Sequence, residues 1–204
     1  MLKKLILDGQ IPYLMTLKKI FFWGFLVAPL YIFVDPGEFS EFGEIGWNIL
    51  IAVMVIRPLA DIFPDLKILR TLAMFRKEFG ILSVLLIIGH FVGFLMVKEI
   101  SIWDGLTKPE HWETAACGWG LIGIVFAIPV LLTSNKFAMV LLKRKWKHIQ
   151  SLTYLFFVFG GIHIALIEDG EGFIAIGAVA VLWLLAKFKF QLSVANLKFP
   201  KFNK

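Results

Sequence analysis

The chain has 204 residues, 59% of them hydrophobic and 18% charged, with a single cysteine and a formal net charge of +6. A soluble domain carries roughly a quarter charged residues and about 45–50% apolar ones, so a water-soluble fold is excluded in favour of an integral membrane protein. The lone Cys117 also excludes an intramolecular disulfide or a thiolate metal cage, and 21 Phe with 7 Trp suit lipid-facing and interfacial surfaces.

Residues 1–19 open with Lys3 and Lys4 before an apolar stretch. The pattern resembles a signal peptide but lacks a small-residue cleavage site, and is expected to persist as a basic cytoplasmic segment. Six hydrophobic runs follow, predicted as helices over Ile20–Val34, Ile45–Phe63, Phe79–Val97, Ala116–Thr133, Gln150–Ile167 and Gly172–Phe190. Most approach the roughly 20 residues that cross a hydrocarbon core. The first and last are short unless Lys18, Lys19, Lys187 and Lys189 snorkel to the interface. Residues 20–190 thus form one transmembrane domain and residues 191–204 a basic tail. No loop is long enough to hold a soluble cofactor domain.

The connecting segments alternate in sign. Lys3/Lys4/Lys18/Lys19, Lys67/Arg70/Arg76/Lys77, Lys136/Lys143/Arg144/Lys145/Lys147 and Lys187/Lys189/Lys198/Lys201/Lys204 are basic. Between them, Asp35/Glu38/Glu41/Glu44, Glu99/Asp104/Glu110/Glu113 and Glu168/Asp169/Glu171 are acidic. Lys/Arg excess marks cytoplasmic loops, so the fold class is an all-α integral membrane protein, a six-transmembrane-helix bundle with both termini in the cytoplasm. An anionic leaflet accounts for the net charge, and no nucleic acid is needed.

Two of the four histidines, His90 and His163, fall within predicted spans. Intramembrane ionisable side chains are costly and usually face the bundle interior with a partner. Both spans run outward, and the rings lie about 16 and 20 Å along them at 1.5 Å per residue, in the outer half of the bilayer. One imidazole on each of two parallel helices at matched depth is what axial ligation of a heme iron from both faces requires. Gly89, Gly93, Gly160 and Gly161 nearby would leave room for a flat macrocycle. The competing reading is a small-residue packing face, with each histidine bonded to a carbonyl or hydroxyl. Gly118-Trp119-Gly120-Leu121-Ile122-Gly123 matches a dinucleotide-binding pattern, but it opens a membrane helix instead of following a strand, and reads as helix packing. His111, beside Trp112 in an outer loop, reads as a solvated interfacial residue. Arg57 could face a heme propionate or a quinone oxygen, or pair with Asp61 one turn on, while Pro58 should kink the helix and free a carbonyl.

Arg57-Pro58-Leu59, LRTLAMFRKEFG (Leu69–Gly80), IIGHFVGFL (Ile87–Leu95), LLTSNKF (Leu131–Phe137) and RKWKHIQSLTYLFFVFGGIHIAL (Arg144–Leu166) together resemble the ferric-reductase-like transmembrane family. Within it the pattern is similar to the heme-binding membrane subunits of the methionine sulfoxide reductase system (MsrQ-type). The resemblance implies a six-helix b-type cytochrome, with His90 and His163 as the axial ligands of the outer heme. It also implies a second, inner ligand position on each histidine-bearing helix, but Gln150 and Arg76 stand there. An amide is a poor heme ligand, and a guanidinium offers iron no lone pair. His148, about 200° round the helix from Gln150, cannot simply substitute. One heme b is therefore expected, in the outer half. The inner half is expected to be filled by Phe75, Phe79, Leu152, Phe156 and Phe157.

The resulting functional expectation is an electron-transfer subunit of an oxidoreductase and not a complete enzyme, sited in the bacterial inner membrane. Electrons from a quinol or a cytoplasmic flavoprotein would pass to a periplasmic reductase or ferric iron, with a quinone or flavin as candidate second cofactor. Membrane lipid and a redox partner or other membrane subunit are the expected partners. The alternative is a non-catalytic membrane subunit of a larger complex, holding one structural heme or none.

Overall fold

The computed structural model describes residues 11, 13–109, 115–190 and 192. His111 and Trp112 lie outside the described residues, as do most of the two terminal segments. Among the described residues the chain is helical throughout, with no strand.

Helix α1 (Leu14–Val27) runs on into a 3-10 helix (Ala28–Phe33), where Pro29, lacking an N–H, tightens the turn. After the short Pro36–Glu38 turn come α2 (Phe39–Ile62), α3 (Lys67–Ala73) and α4 (Arg76–Val97). Then follow α5 (Ile102–Thr107), α6 (Ala115–Thr133), α7 (Lys136–Leu142), α8 (Arg144–Ile167) and α9 (Glu171–Lys187). The short helices α5 and α7 begin at capping side chains. Ser101 accepts the Asp104 N–H at 3.1 Å, and Asn135 accepts the Ala138 N–H at 2.8 Å.

Five helical segments are long and apolar enough to cross a membrane: Leu14–Phe33, Pro36–Ile62, Arg76–Val97, Ala115–Thr133 and Arg144–Ile167. The predicted sixth is present as α9, but its 17 residues leave it just short of that length. Several spans begin earlier than expected. Arg76, Lys77 and the Arg144–Lys147 cluster are already helical, because the backbone of a basic interfacial turn can close its own hydrogen bonds while the side chains reach outward.

The spans form two antiparallel pairs, α2 with α4 and α6 with α8, and α9 lies against α8 and α2. A shared core joins them, built on Trp47, Leu50, Val84, Ala127, Phe156 and Phe157. Trp47 and Phe157 stack with centroids 5.1 Å apart, and the fully buried Ser83 donates to Gly46 O at 2.8 Å. A second cluster, centred on Ile32, Phe42, Leu82 and Leu86, ties the 3-10 segment to α2 and α4.

In lipid, where apolar burial drives little, such contacts hold helices together by dispersion and close approach. The closest approach is at α8 and α9, where a Cβ on Gly172 would run into Gly161 O and one on Gly161 would lie 2.6 Å from Ile176. Gly172→Leu is therefore expected to part these helices and destabilise the protein by about 1–3 kcal/mol or more. A thermal unfolding midpoint measured in detergent checks this.

A paired-histidine cavity

His90 lies on α4 and His163 on α8, and their rings face each other with centroids 6.2 Å apart and planes at 69°. Each ring is tied to the neighbouring helix by the same bond. His90 Nδ1 lies 2.7 Å from Phe39 O, the first residue of α2, and His163 Nδ1 lies 2.7 Å from Ala116 O, the second residue of α6. A carbonyl oxygen can only accept, so both Nδ1 atoms carry the proton and both Nε2 atoms keep a free lone pair.

The approach depends on two glycines that sequence reasoning missed. A Cβ on Gly43 would sit 2.7 Å from His90 Nδ1, and one on Gly120 would sit 2.9 Å from His163 Nδ1. Each glycine lies four residues after the accepting carbonyl, at Phe39/Gly43 and Ala116/Gly120, so the carbonyl and the gap above it share one helix face. The detectable signal was a small residue one helical turn into the span that precedes each histidine-bearing span.

The glycines that adjoin the histidines in sequence have other tasks. A Cβ on Gly89 would meet Phe42 at 3.0 Å and one on Gly93 would meet Phe39 at 2.6 Å, so both serve contact between α4 and α2. Gly161 faces Ile176 on α9; only Gly160 lines the cavity. The expectation that all four make room for a macrocycle is thus corrected: adjacency along a helix places residues 100° apart, and most of these face away from the rings. Gly123, where a Cβ would lie 3.5 Å from Gly160 N, is the helix-packing glycine expected of that motif, whereas Gly120 serves His163.

The cavity between the rings comprises about 1190 Å³ of unfilled space, partly open to the surroundings. Trp47, Ile87, Phe91, Leu121 and Ile124 give it apolar walls, and the half-buried Cys117 contributes to the lining. Glu44 and Glu168 stand on it and, among the described residues, no Lys or Arg does. A ligand here would be held at its centre and faces, not by cations at its edge. The two free Nε2 lone pairs make the site chemically suited to a metal carried in a flat apolar ring. Among the described residues no cluster of three or more His, Cys, Asp or Glu could hold a bare metal ion.

The remaining candidate residues are not brought to this cavity. Arg57 pairs with Asp61, Nε to Oδ2 at 3.1 Å, with both side chains largely exposed. Arg76 donates from Nε to Val53 O at 3.1 Å. Gln150 turns its amide towards the end of α6, with Thr133 Oγ1 at 3.0 Å and Val130 O at 3.2 Å. His148 lies on the exposed side of α8.

Nor do the expected aromatics fill the other half of the bundle. Phe156 and Phe157 are buried in the core, but Phe75 and Phe79 pack against Phe21 and Phe25 of α1. A second and larger cleft, lined by Arg76, Gln150 and Tyr154, is left at the basic end.

The family model for the ferric reductase like transmembrane component matches residues 42–161, a stretch that includes His90 and ends two residues before His163. Curated relatives carry the name protein-methionine-sulfoxide reductase heme-binding subunit MsrQ. Those from Agrobacterium fabrum and Rhizobium meliloti are 25% and 23% identical over 55% and 69% of this chain. The one from Brucella ovis is 24% identical over 75%. The matched stretches span 50%, 65% and 70% of the relatives' own lengths, so the first two are covered over less than two thirds. No solved structure matches. With more than half of its residues inside the matched region, the chain belongs to the ferric reductase like transmembrane component family.

Proposed function

We propose that the chain is a b-type cytochrome subunit that binds one heme through His90 and His163 and passes electrons to an acceptor at the outer face of the bacterial inner membrane. The observation that carries this reading is the facing pair of rings. With a metal–nitrogen bond of about 2 Å on each side, two imidazoles bound to one metal in trans have centroids roughly 6 Å apart; these stand at 6.2 Å. The matching hydrogen bonds add support, since metal-bound histidines commonly donate their second N–H to a carbonyl.

Heme, when bound, supplies one-electron chemistry. The chain's own part is to present two neutral imidazoles, fix their tautomers through Phe39 and Ala116, and surround the site with apolar side chains that keep water out. The donor is a quinol or a flavoprotein, and the acceptor a reductase partner or ferric iron. The relatives' name, a heme-binding subunit of a methionine sulfoxide reductase, supports the reductase partner.

Purified protein is expected to show a redox-active b-type spectrum and, by pyridine hemochrome against amino-acid analysis, a heme-to-protein ratio near one. A colourless protein would sink the reading. A ratio near two would return the basic-end cleft as a heme site.

The same reading includes six spans with both termini cytoplasmic, supported by the Lys/Arg alternation. Single cysteines at Lys108 and Lys145, in a background without Cys117, should label from opposite sides of the membrane. Labelling from one side would remove a span.

A further inference from the structure

The cleft at the basic end is the larger of the two cavities, with about 2480 Å³ of space, partly open to the surroundings, between α1, α2, α4, α6 and α8. Its lining carries Lys18, Lys19, Arg76, Lys77, Lys136 and Lys147 against one acid, Glu78. That acid is already engaged, because Glu78 Oε1 lies 3.4 Å from Lys18 Nζ. Arg76, half-buried, spends only its Nε–H on Val53 O, and among the described residues no carboxylate forms an ion pair with it. The deeper wall is apolar, built from Leu50, Val53, Met54 and Val84. Among the described residues no histidine or cysteine lines the cleft.

We propose that this cleft binds an anionic glycerophospholipid of the phosphatidylglycerol type. A guanidinium with free Nη groups, ringed by ammonium groups, fits a phosphate through charge-assisted hydrogen bonds. Basic pockets between membrane helices are suited to anionic headgroups in just this way. The apolar wall accepts acyl chain. Glu78 Oε2, buried and without a hydrogen-bond partner, accepts from a headgroup hydroxyl, which phosphatidylglycerol has and phosphatidylcholine lacks. A half-buried guanidinium with unpaired Nη groups and one carboxylate oxygen without a hydrogen-bond partner, on the same cleft, are met together by a head that is both anionic and a donor. This site does not depend on the heme assignment.

The test uses full-length protein purified in a neutral detergent and stripped of lipid. Phosphatidylglycerol, phosphatidylcholine of the same acyl composition, and inorganic phosphate are added separately. Retained lipid is read by native mass spectrometry and the thermal midpoint by unfolding. Phosphatidylglycerol is expected to bind and raise the midpoint. R76Q should weaken its binding about tenfold, the loss expected for one charge-assisted contact. R57Q, which removes an exposed cation outside the cleft, should not weaken it. Should R76Q fail to fold, K136Q with K147Q takes its place, with the same direction of effect. Equal binding of phosphatidylcholine, equal stabilisation by inorganic phosphate, equal weakening by R57Q, or a co-purifying heme or quinone that phosphatidylglycerol fails to displace would each overturn the proposal.

Discussion

His90→Ala and His163→Ala, made separately, are each expected to reduce the heme content of the purified protein below one tenth of its normal level. The rings stand across one cavity with centroids 6.2 Å apart, so under the proposed reading each would hold the heme iron, and among the described residues no other histidine lines the cavity. Losing one imidazole leaves a five-coordinate metal in a space shaped for two ligands, with an apolar void beside it. His148→Ala is the control. Its side chain lies on the exposed side of α8, and the spectrum should be unchanged. Difference spectroscopy with hemochrome quantification reads all three variants. Full heme content in both membrane-histidine variants would assign ligation elsewhere.

The second large effect is expected from adding a single methyl group to a helix that contributes no metal ligand. In Gly43→Ala the new Cβ would lie 2.7 Å from His90 Nδ1, and in Gly120→Ala 2.9 Å from His163 Nδ1. Real Cβ contacts are longer, so the ring must move off its carbonyl or the helices must part. Loss of an outer hydrogen bond to a ligating histidine typically costs 10–100-fold in affinity for the bound metal group. Each variant should lose heme by that factor in titration of apoprotein. Heme that does bind should have a higher midpoint potential, because an imidazole without its Nδ1–H···O=C bond donates less charge and favours the oxidised state less. Gly177→Ala, whose Cβ would meet nothing within 4 Å, should change neither quantity. Unchanged affinity and potential in Gly43→Ala and Gly120→Ala would mean that the carbonyl contacts play no part in holding the ligands.

The two effects differ in how far the sequence foretold them. The histidines stood out because a titratable ring in an apolar run is rare, and rarity is visible one residue at a time. Spans were visible for a similar reason: lipid demands a long uninterrupted apolar stretch, which averages out local noise. Gly43 and Gly120 offered only the weak signal of a small residue one turn into a span, because their role exists only between helices. Nothing in FGEIG or GWGLIG reveals which neighbouring ring will lie over the gap. The same blindness misplaced Phe75 and Phe79. Helical phase puts both on one side of the chain, and it was the position of α1, not the phase, that turned that side away from the cleft. Arg57 shows the opposite case: an i,i+4 pairing with Asp61 is local, was anticipated as one of two readings, and is present.

The carbonyls that hold the two rings belong to the opening residues of α2 and α6, Phe39 and Ala116. A helix's first turn is its least cooperative part, with amides that have no partner inside the helix. Both opening residues lie towards the end of the cavity's helices that carries Glu44 and Glu168, where an outer partner would dock under the proposed topology. Pressure on either turn would be transmitted through one hydrogen bond to the electron affinity of the centre. Docking and driving force would thus be linked thermodynamically, so that a partner which shifts the potential must itself bind the two oxidation states with different strength.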